Sequence, residues 1–266
     1  MRVTVDHLGR TVEIPALPRR IVSLCPSQTE TLFSLGVGAY VVGATRYCVE
    51  PALSLGNVAR VGGTKKLQWE KLHELSPDLV ICEKEENPRE MVEELERHYP
   101  VFVTDVRDIP SALRMIEDLG ALVGATMEAA VLSARVRDAL SRVLPLAKPK
   151  TVYLIWRKPT MVAGSDTFID SMLELCGFEN LARSLTGRYP EVTAQQLAEL
   201  KPEIVLLSSE PYPFKHEHFD EIRAILPEAE IYLADGQAFS WYGSRLVHFP
   251  EYFQKYFNEA FSGLRR

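Results

Sequence analysis

The chain has 266 residues, of which 46% are hydrophobic and 25% charged, and its formal net charge is −6. That length can bury two separate cores, and the composition excludes a disordered or fibrous protein. The acidic balance excludes nucleic acid as a partner, which would want a basic face, and no stretch approaches the ~20 apolar residues of a membrane span.

Residues 1–18 carry Asp6, His7, Arg10 and Glu13 with no apolar run of signal-peptide type, so the chain as it stands is expected in the cytoplasm. A periplasmic or cell-surface placement is the alternative, had a leader been removed. Residues 20–24 read as the first buried strand, broken by Pro26. Ser27-Gln28-Thr29-Glu30 then has the spacing of a capping box and opens a helix that runs to Gly36. Further strands are expected over 40–44, 78–82 and 101–104. A helix over 88–98 puts acids first and Arg97-His98 last, as the helix dipole prefers. Alternating strands and helices predict a parallel sheet covered by helices.

From Pro110 to Pro149 the strand signal disappears and Ala, Leu, Val and Arg recur at helical spacing. Gly120 and Gly124 divide this stretch, leaving 125–147 as one helix of roughly 35 Å, a rigid connector. Strands over 151–156, 204–208 and 230–234 make a second α/β lobe. The expected domains are an N-terminal lobe over 1–124, a connecting helix over 125–150 and a C-terminal lobe over 151–266. Two stretches support the duplication. Leu72-His73-Glu74-Leu75-Ser76-Pro77-Asp78-Leu79-Val80-Ile81 matches Leu197-Ala198-Glu199-Leu200-Lys201-Pro202-Glu203-Ile204-Val205-Leu206, with Glu85 and Glu210 following in register. Two lobes imply a cleft between them, where small ligands usually bind.

Polar and aromatic residues gather just after the strand ends, where open α/β sheets place ligands. Lobe one offers Arg46, Tyr47, Glu83 and Glu85. Lobe two offers Trp156, Arg157, Arg188, Tyr189, Glu210, Trp241, Tyr242 and Arg245. Arginine presents a planar fork suited to carboxylate or phosphate, and the rings offer apolar contact for a flat or bulky ligand. An Arg46–glutamate pair across the cleft is a further option for that arginine. Cys25, Cys48, Cys82 and Cys176 show no Cys-x-x-Cys pairing; Cys82 and Cys176 sit in apolar runs and read as small hydrophobes. The set suits a reducing cytosol without excluding a periplasm.

No nucleophile elbow, phosphate-binding loop, dinucleotide fingerprint or His-Glu-x-x-His motif occurs. His216 and His218, expected in a surface loop, lack a third ligand, so no metal site is assigned. Cys48 beside Arg46 could be an activated thiol, but no base stands near it in the sequence.

Residues 20–30, Leu35-Gly36 and Val42-Gly43-Ala44-Thr45 resemble the opening of the helical-backbone metal-chelate receptors. These are the substrate-binding proteins that serve ABC importers of vitamin B12, ferric siderophores and haem. Leu75-Ser76-Pro77-Asp78-Leu79-Val80 and Gly9-Arg10-Thr11-Val12 look like the same family, and the likeness spans the chain and is strongest to the cobalamin branch. The resemblance implies the class III periplasmic-binding-protein fold: two Rossmann-like lobes, one long rigid helix and a shallow cleft that changes little on binding. It implies a monomeric receptor for cobalamin or a ferric siderophore, with no intrinsic cofactor, an ABC permease as partner and no catalysis. Where the cobalamin branch would supply tryptophans in lobe one, this chain has Thr64 and Glu83. Glu70 matches the first transporter-docking glutamate; the second position falls on Gln195, with Glu191 and Glu199 out of register. The missing acid and leader together suggest a cytosolic relative of these receptors. The alternative is an enzyme acting on a chelate or an anionic metabolite through Cys48 or the Glu85/Glu210 pair.

Overall fold

The computed structural model describes residues 1–257. They divide into two compact units: Met1–Val106 with Pro110–Arg137 and Tyr242–Arg245, and Arg107–Ile109 with Asp138–Trp241 and the chain from Leu246 onward.

Unit one opens on an antiparallel hairpin, β1 (Arg2–Val5) and β2 (Thr11–Ile14). Its turn is built on Asp6, which is buried and whose carboxylate accepts the main-chain N–H groups of Leu8 and Arg10 at 3.0 and 2.9 Å. The α/β body follows as β3 (Ile21–Ser23), α1 (Pro26–Ser34), β4 (Val41–Ala44), β5 (Ala59–Arg60), α2 (Trp69–Leu75), β6 (Leu79–Glu83), α3 (Arg89–Glu96) and β7 (Val101–Thr104), then α4 (Ile109–Val123) and α5 (Thr126–Ser141). The strands form one parallel sheet in the order β5-β4-β3-β6-β7. Val22, Leu24, Val80, Cys82, Leu95 and Val103 lie in its core.

Unit two contains β8 (Lys150–Trp156), β9 (Met161–Val162), α6 (Phe168–Leu175), β10 (Glu179–Asn180), α7 (Ala194–Leu200), β11 (Ile204–Ser208), α8 (Phe219–Ile225), β12 (Glu230–Ala234), α9 (Gly236–Ser240) and α10 (Phe249–Phe257). Its parallel strands run β10-β8-β11-β12, with β9 antiparallel on β8. Val152, Leu154, Val205, Leu207, Phe214 and Ile222 make a separate core. Strand order reverses between β3 and β6 in unit one and between β8 and β11 in unit two, the switch points at which such sheets bind ligands.

The duplicated stretch is duplicated in geometry. Helices α2 and α7 both end on a non-glycine residue in left-handed backbone, Ser76 (φ +43°) and Lys201 (φ +50°), directly before a proline. The acid after each proline then latches the neighbouring strand at its amino end. Asp78 donates its N–H to the Arg20 carbonyl at 2.9 Å and accepts from the N–H groups of Arg19 and Arg20 at 2.8 and 2.9 Å. Glu203 donates to the Lys150 carbonyl at 2.8 Å and accepts from the Lys150 N–H at 2.7 Å.

Two local expectations are corrected. The helix over 125–147 spans only Thr126–Ser141, 16 residues or about 24 Å, and the division between units falls within it, after Arg137. Pro145 and Pro149 lack the N–H a helix needs, and Lys148 sits at φ +56°. Helix α1 has no capping box: its N-cap is Cys25, with no side-chain bond to the helix, and Pro26 occupies the first turn. Ser27 and Glu30 are used elsewhere.

Because Asp78 satisfies two main-chain donors and Glu203 one, Asp78→Ala is expected to cost about 1–2 kcal/mol and Glu203→Ala about half that. Urea unfolding of the two variants checks this, and equal losses would remove the argument.

Candidate functional site

The strand-end residues of unit one fall into two groups. Arg46 and Tyr47 follow β4 and are exposed, the tyrosine at 48%. The Arg46 guanidinium donates to the Tyr47 hydroxyl at 2.9 Å and lies 4.9 Å from its ring centre, so Arg46 pairs with its neighbour and not with a glutamate. The loop is fixed from beneath: Arg60 donates to the carbonyls of Thr45 and Cys48 at 3.0 and 2.7 Å, and the Arg46 N–H donates to Gly62. Gly63 lets the tyrosine ring lie on main chain, since a Cβ there would stand 3.2 Å from its Cε2.

Glu83 is different. It is 2% exposed, and its carboxylate accepts from the main-chain N–H groups of Glu85 (2.6 Å), Glu86 (3.1 Å) and Val106 (3.3 Å). Asn87, also buried, accepts from the Glu83 N–H at 2.8 Å and donates to the carbonyls of Thr64 and Leu24 at 2.9 and 3.4 Å. Glu83 therefore holds the 83–87 loop from inside and does not offer its carboxylate to a ligand. Burial pushes its pKa up to about 7, with the three amides opposing that rise only in part. Thr64 is buried as well, so both positions at which the resemblance implied tryptophans in the cobalamin branch are interior. Glu85 is half-buried on the loop they organise, and Lys65 donates to its carbonyl at 2.7 Å.

In unit two, Trp156 ends β8 at 38% exposure. Its indole N–H donates to the Lys158 carbonyl at 3.1 Å, and its ring meets Tyr212 edge-on at 5.8 Å. Arg157 pairs with Glu221 at 2.7 Å and reaches the Tyr212 hydroxyl at 3.5 Å. Below this pair, among Leu154, Thr160, Phe214 and His218, lies a cavity of about 30 Å³, room for a water or two and not for a chelate. Arg188 and Tyr189 are partly exposed, and Arg188 Nε donates to the Asp166 carbonyl at 2.5 Å. Glu210 accepts from the Trp241 indole N–H at 2.6 Å and the Ser240 hydroxyl at 3.2 Å.

Trp241 and Tyr242, expected as ligand contacts, are 7% and 6% exposed and belong to packing. Tyr242 sits in unit one with its hydroxyl 3.6 Å from the Cys25 sulfur, and its N–H donates to the Ser27 hydroxyl at 3.2 Å. Ser244 N–H donates to Thr31 at 3.3 Å, and Arg245 pairs with Glu30 at 2.9 Å. Residues 242–245 thus lie along α1, which explains why Ser27 and Glu30 do not cap it.

The thiol and histidine options close. Cys48 is buried between the hydroxyls of Thr29 and Thr45, each at 3.2 Å, and burial raises its pKa, the reverse of activation. His218 is buried and bonded to Tyr212 and Lys215, not placed in a surface loop. Among the described residues, no three His, Cys, Asp or Glu side chains are grouped to hold a metal ion, and no helix is long and apolar enough to cross a membrane.

The two parallel sheets with their helices agree with the comparisons. The family model described as "Periplasmic binding protein" matches residues 21–224. The chain belongs to that family. A substrate-binding lipoprotein of an ABC transporter from Bacillus subtilis is 27% identical over 92% of this chain and 82% of its own length. The periplasmic vitamin B12-binding protein of Vibrio cholerae is 21% identical, with a TM-score of 0.76 over 92% of this chain and 99% of its own. A periplasmic heme-binding protein from Roseiflexus sp. RS-1, 22% identical, has a TM-score of 0.80 over 91% and 98%. The fold is the class III periplasmic-binding-protein fold expected from the sequence. Family membership makes the chain a binding protein and not an enzyme.

Glu83 yields a pH prediction. Between its ordinary value of 4.5 and about 7 the folded chain keeps a proton that the unfolded chain has released. Its contribution to stability therefore falls as pH rises through that window, by at most about 1.4 kcal/mol per pH unit, and is level above it. The melting temperature of the parent relative to Glu83→Gln should decline from pH 4.5 to 7; a flat difference would refute the assignment.

Proposed function

We propose that the chain is the substrate-binding receptor of an ABC importer and that its ligand is a metal chelate with a broad apolar surface, of the kind represented by corrins, haem and ferric siderophores. One observation carries this reading: Tyr47 and Trp156 leave large rings exposed at the carboxyl ends of β4 and β8, where parallel sheets meet ligands. Arg46, Glu85, Arg157, Arg188 and Tyr189 would supply the polar contacts. Glu210 and Arg245 would hold neighbouring segments in place. The buried, hydrogen-bonded Thr64 and Glu83 remove two aromatic walls that cobalamin would use, which favours a different chelate.

Titration with cyanocobalamin, haemin and ferrichrome, followed by thermal unfolding, tests this. A ligand at a hundred times its dissociation constant adds about 2.7 kcal/mol of stability. Tyr47→Ala and Trp156→Ala are each expected to weaken the bound chelate about ten-fold or more, the loss of one ring contact. Parent-like affinity in both variants would refute the site.

The importer partner is a separate part of the reading. Glu70 lies exposed in the first turn of α2, and the equivalent position on α7 is Gln195, which donates to Glu199 at 2.8 Å. Glu70→Ala should abolish importer-dependent uptake while leaving chelate affinity unchanged, and Gln195→Glu should raise uptake; loss of affinity in Glu70→Ala would move that residue to the binding site. A receptor of this kind works as a monomer in the periplasm or on the cell surface. The lipoprotein relative supports that placement over the cytoplasmic one.

A further inference from the structure

Three charged groups from three separate stretches of unit two meet at one point. Arg107 follows shortly after β7, Asp166 lies just before α6, and Arg188 lies between β10 and α7. Arg107 Nη1 is 3.4 and 3.3 Å from the two carboxylate oxygens of Asp166. Arg188 Nε is 3.6 Å from Asp166 Oδ2 as well as bonded to its carbonyl.

The turn that presents Asp166 is built firmly. Thr167 donates its hydroxyl to the Gly164 carbonyl at 2.9 Å and accepts from the Asp170 N–H at 3.1 Å, capping α6. Gly164 donates its N–H to the Arg188 carbonyl at 2.8 Å, and a Cβ at Gly164 would stand 2.8 Å from the Gly187 carbonyl oxygen. A main-chain bond therefore holds Gly164, two residues before Asp166, beside Arg188 whether or not the side chains attract. Asp166 itself has φ +58°, a left-handed conformation that aspartate and asparagine tolerate better than other side-chain-bearing residues.

The side-chain contacts are weaker than the frame around them. Asp166 is 52% exposed, its distances to both guanidinium groups are long, and half-exposed ion pairs of this geometry contribute little. Guanidinium forks bind a carboxylate best when two short parallel bonds form. An aspartate pinned by its backbone in a left-handed turn does not reach that geometry with either arginine, whereas a carboxylate on a separate molecule can adjust to both.

We propose that Arg107 and Arg188 form an oxyanion subsite that Asp166 fills when no ligand carboxylate is present, and that a carboxylate borne by the chelate displaces it. The inference rests on the chelate-binding reading and narrows its ligand to an anionic, carboxylate-bearing chelate. Asp166 acts as an internal competitor. It lowers the apparent affinity of every ligand that must displace it by the fraction of time it occupies the arginines, and a chelate without an anionic group gains nothing at this point.

Haemin and its dimethyl ester share a ring and a metal and differ in two free carboxylates, so the pair reads the subsite directly. Affinities of both are measured for the parent, Asp166→Asn and the double variant Arg107→Gln/Arg188→Gln. Asparagine keeps the left-handed turn and removes the competing charge. The haemin-to-ester affinity ratio is expected to rise about ten-fold in Asp166→Asn and to fall about ten-fold or more in the double variant. An unchanged or lower ratio in an Asp166→Asn protein that melts like the parent overturns the proposal. A protein that binds cyanocobalamin or ferrichrome but neither porphyrin keeps the chelate function and overturns the carboxylate subsite. Failure of all four probes overturns the chelate function itself.

Discussion

The ends of parallel strands leave main-chain N–H and C=O groups that the sheet cannot satisfy, and this protein answers the problem with side chains at fixed positions. At the amino ends, Asp78 and Glu203 bridge to the neighbouring strand through its first main-chain groups. At the carboxyl ends, Glu83 and Ser208 stand at equivalent positions of β6 and β11, both buried, and each bonds the loop that follows. Buried polar groups must be paired, so those loops have little freedom. The residues available to a ligand are then whatever the held loops project outward.

The two units solve the carboxyl-end problem with different chemistry. In unit two a neutral hydroxyl suffices: Ser208 accepts from Tyr153 at 3.0 Å and donates to the Glu210 carbonyl at 2.5 Å. In unit one a carboxylate gathers three amides, two of its own loop and one from Val106 after β7. The carboxylate ties together more chain, at the expense of burying a group that water would otherwise solvate. Unit one thereby acquires a loop whose holding bonds depend on proton concentration near neutrality, while its counterpart in unit two does not.

The fold was largely legible because the duplicated stretch carries its own geometry: a helix stopped by proline, an acid, then a strand. Those residue types dictate the turn locally, and tertiary context only has to accept it. Three features were less legible. The hairpin at the start depends on Asp6 capturing main-chain groups of Leu8 and Arg10, a contact no hydrophobic period reveals. Ser27 and Glu30 had the spacing of a cap, yet residues 242–245 take Ser27, Glu30 and Thr31 as partners. The connector was overextended because helical periodicity continued past Ser141 while Pro145 and Pro149 already forbade it. In the proposed oxyanion subsite, Arg107 and Asp166 carried no signal, since neither lies in an aromatic cluster and only the fold joins them.

The aromatic residues make the limit sharper, because composition treats Trp156 and Trp241 alike and the structure does not. The difference follows from where each polar atom finds its partner. The Trp241 indole bonds the carboxylate of Glu210, and Tyr242 reaches Cys25, distant in sequence. A ring tied to a remote partner must lie between the segments it joins, and so becomes core. Trp156 bonds the carbonyl of Lys158, and Tyr47 is bonded by Arg46 beside it. A ring satisfied within its own loop owes nothing to the interior, and its apolar face can remain outside at the strand end. Burial of such a face then awaits something other than the protein itself, and the gain from covering it, roughly 25 cal/mol for each Å² removed from water, is available to a ligand. By this reasoning Tyr47 and Trp156, rather than Trp241 and Tyr242, are the rings that binding would use.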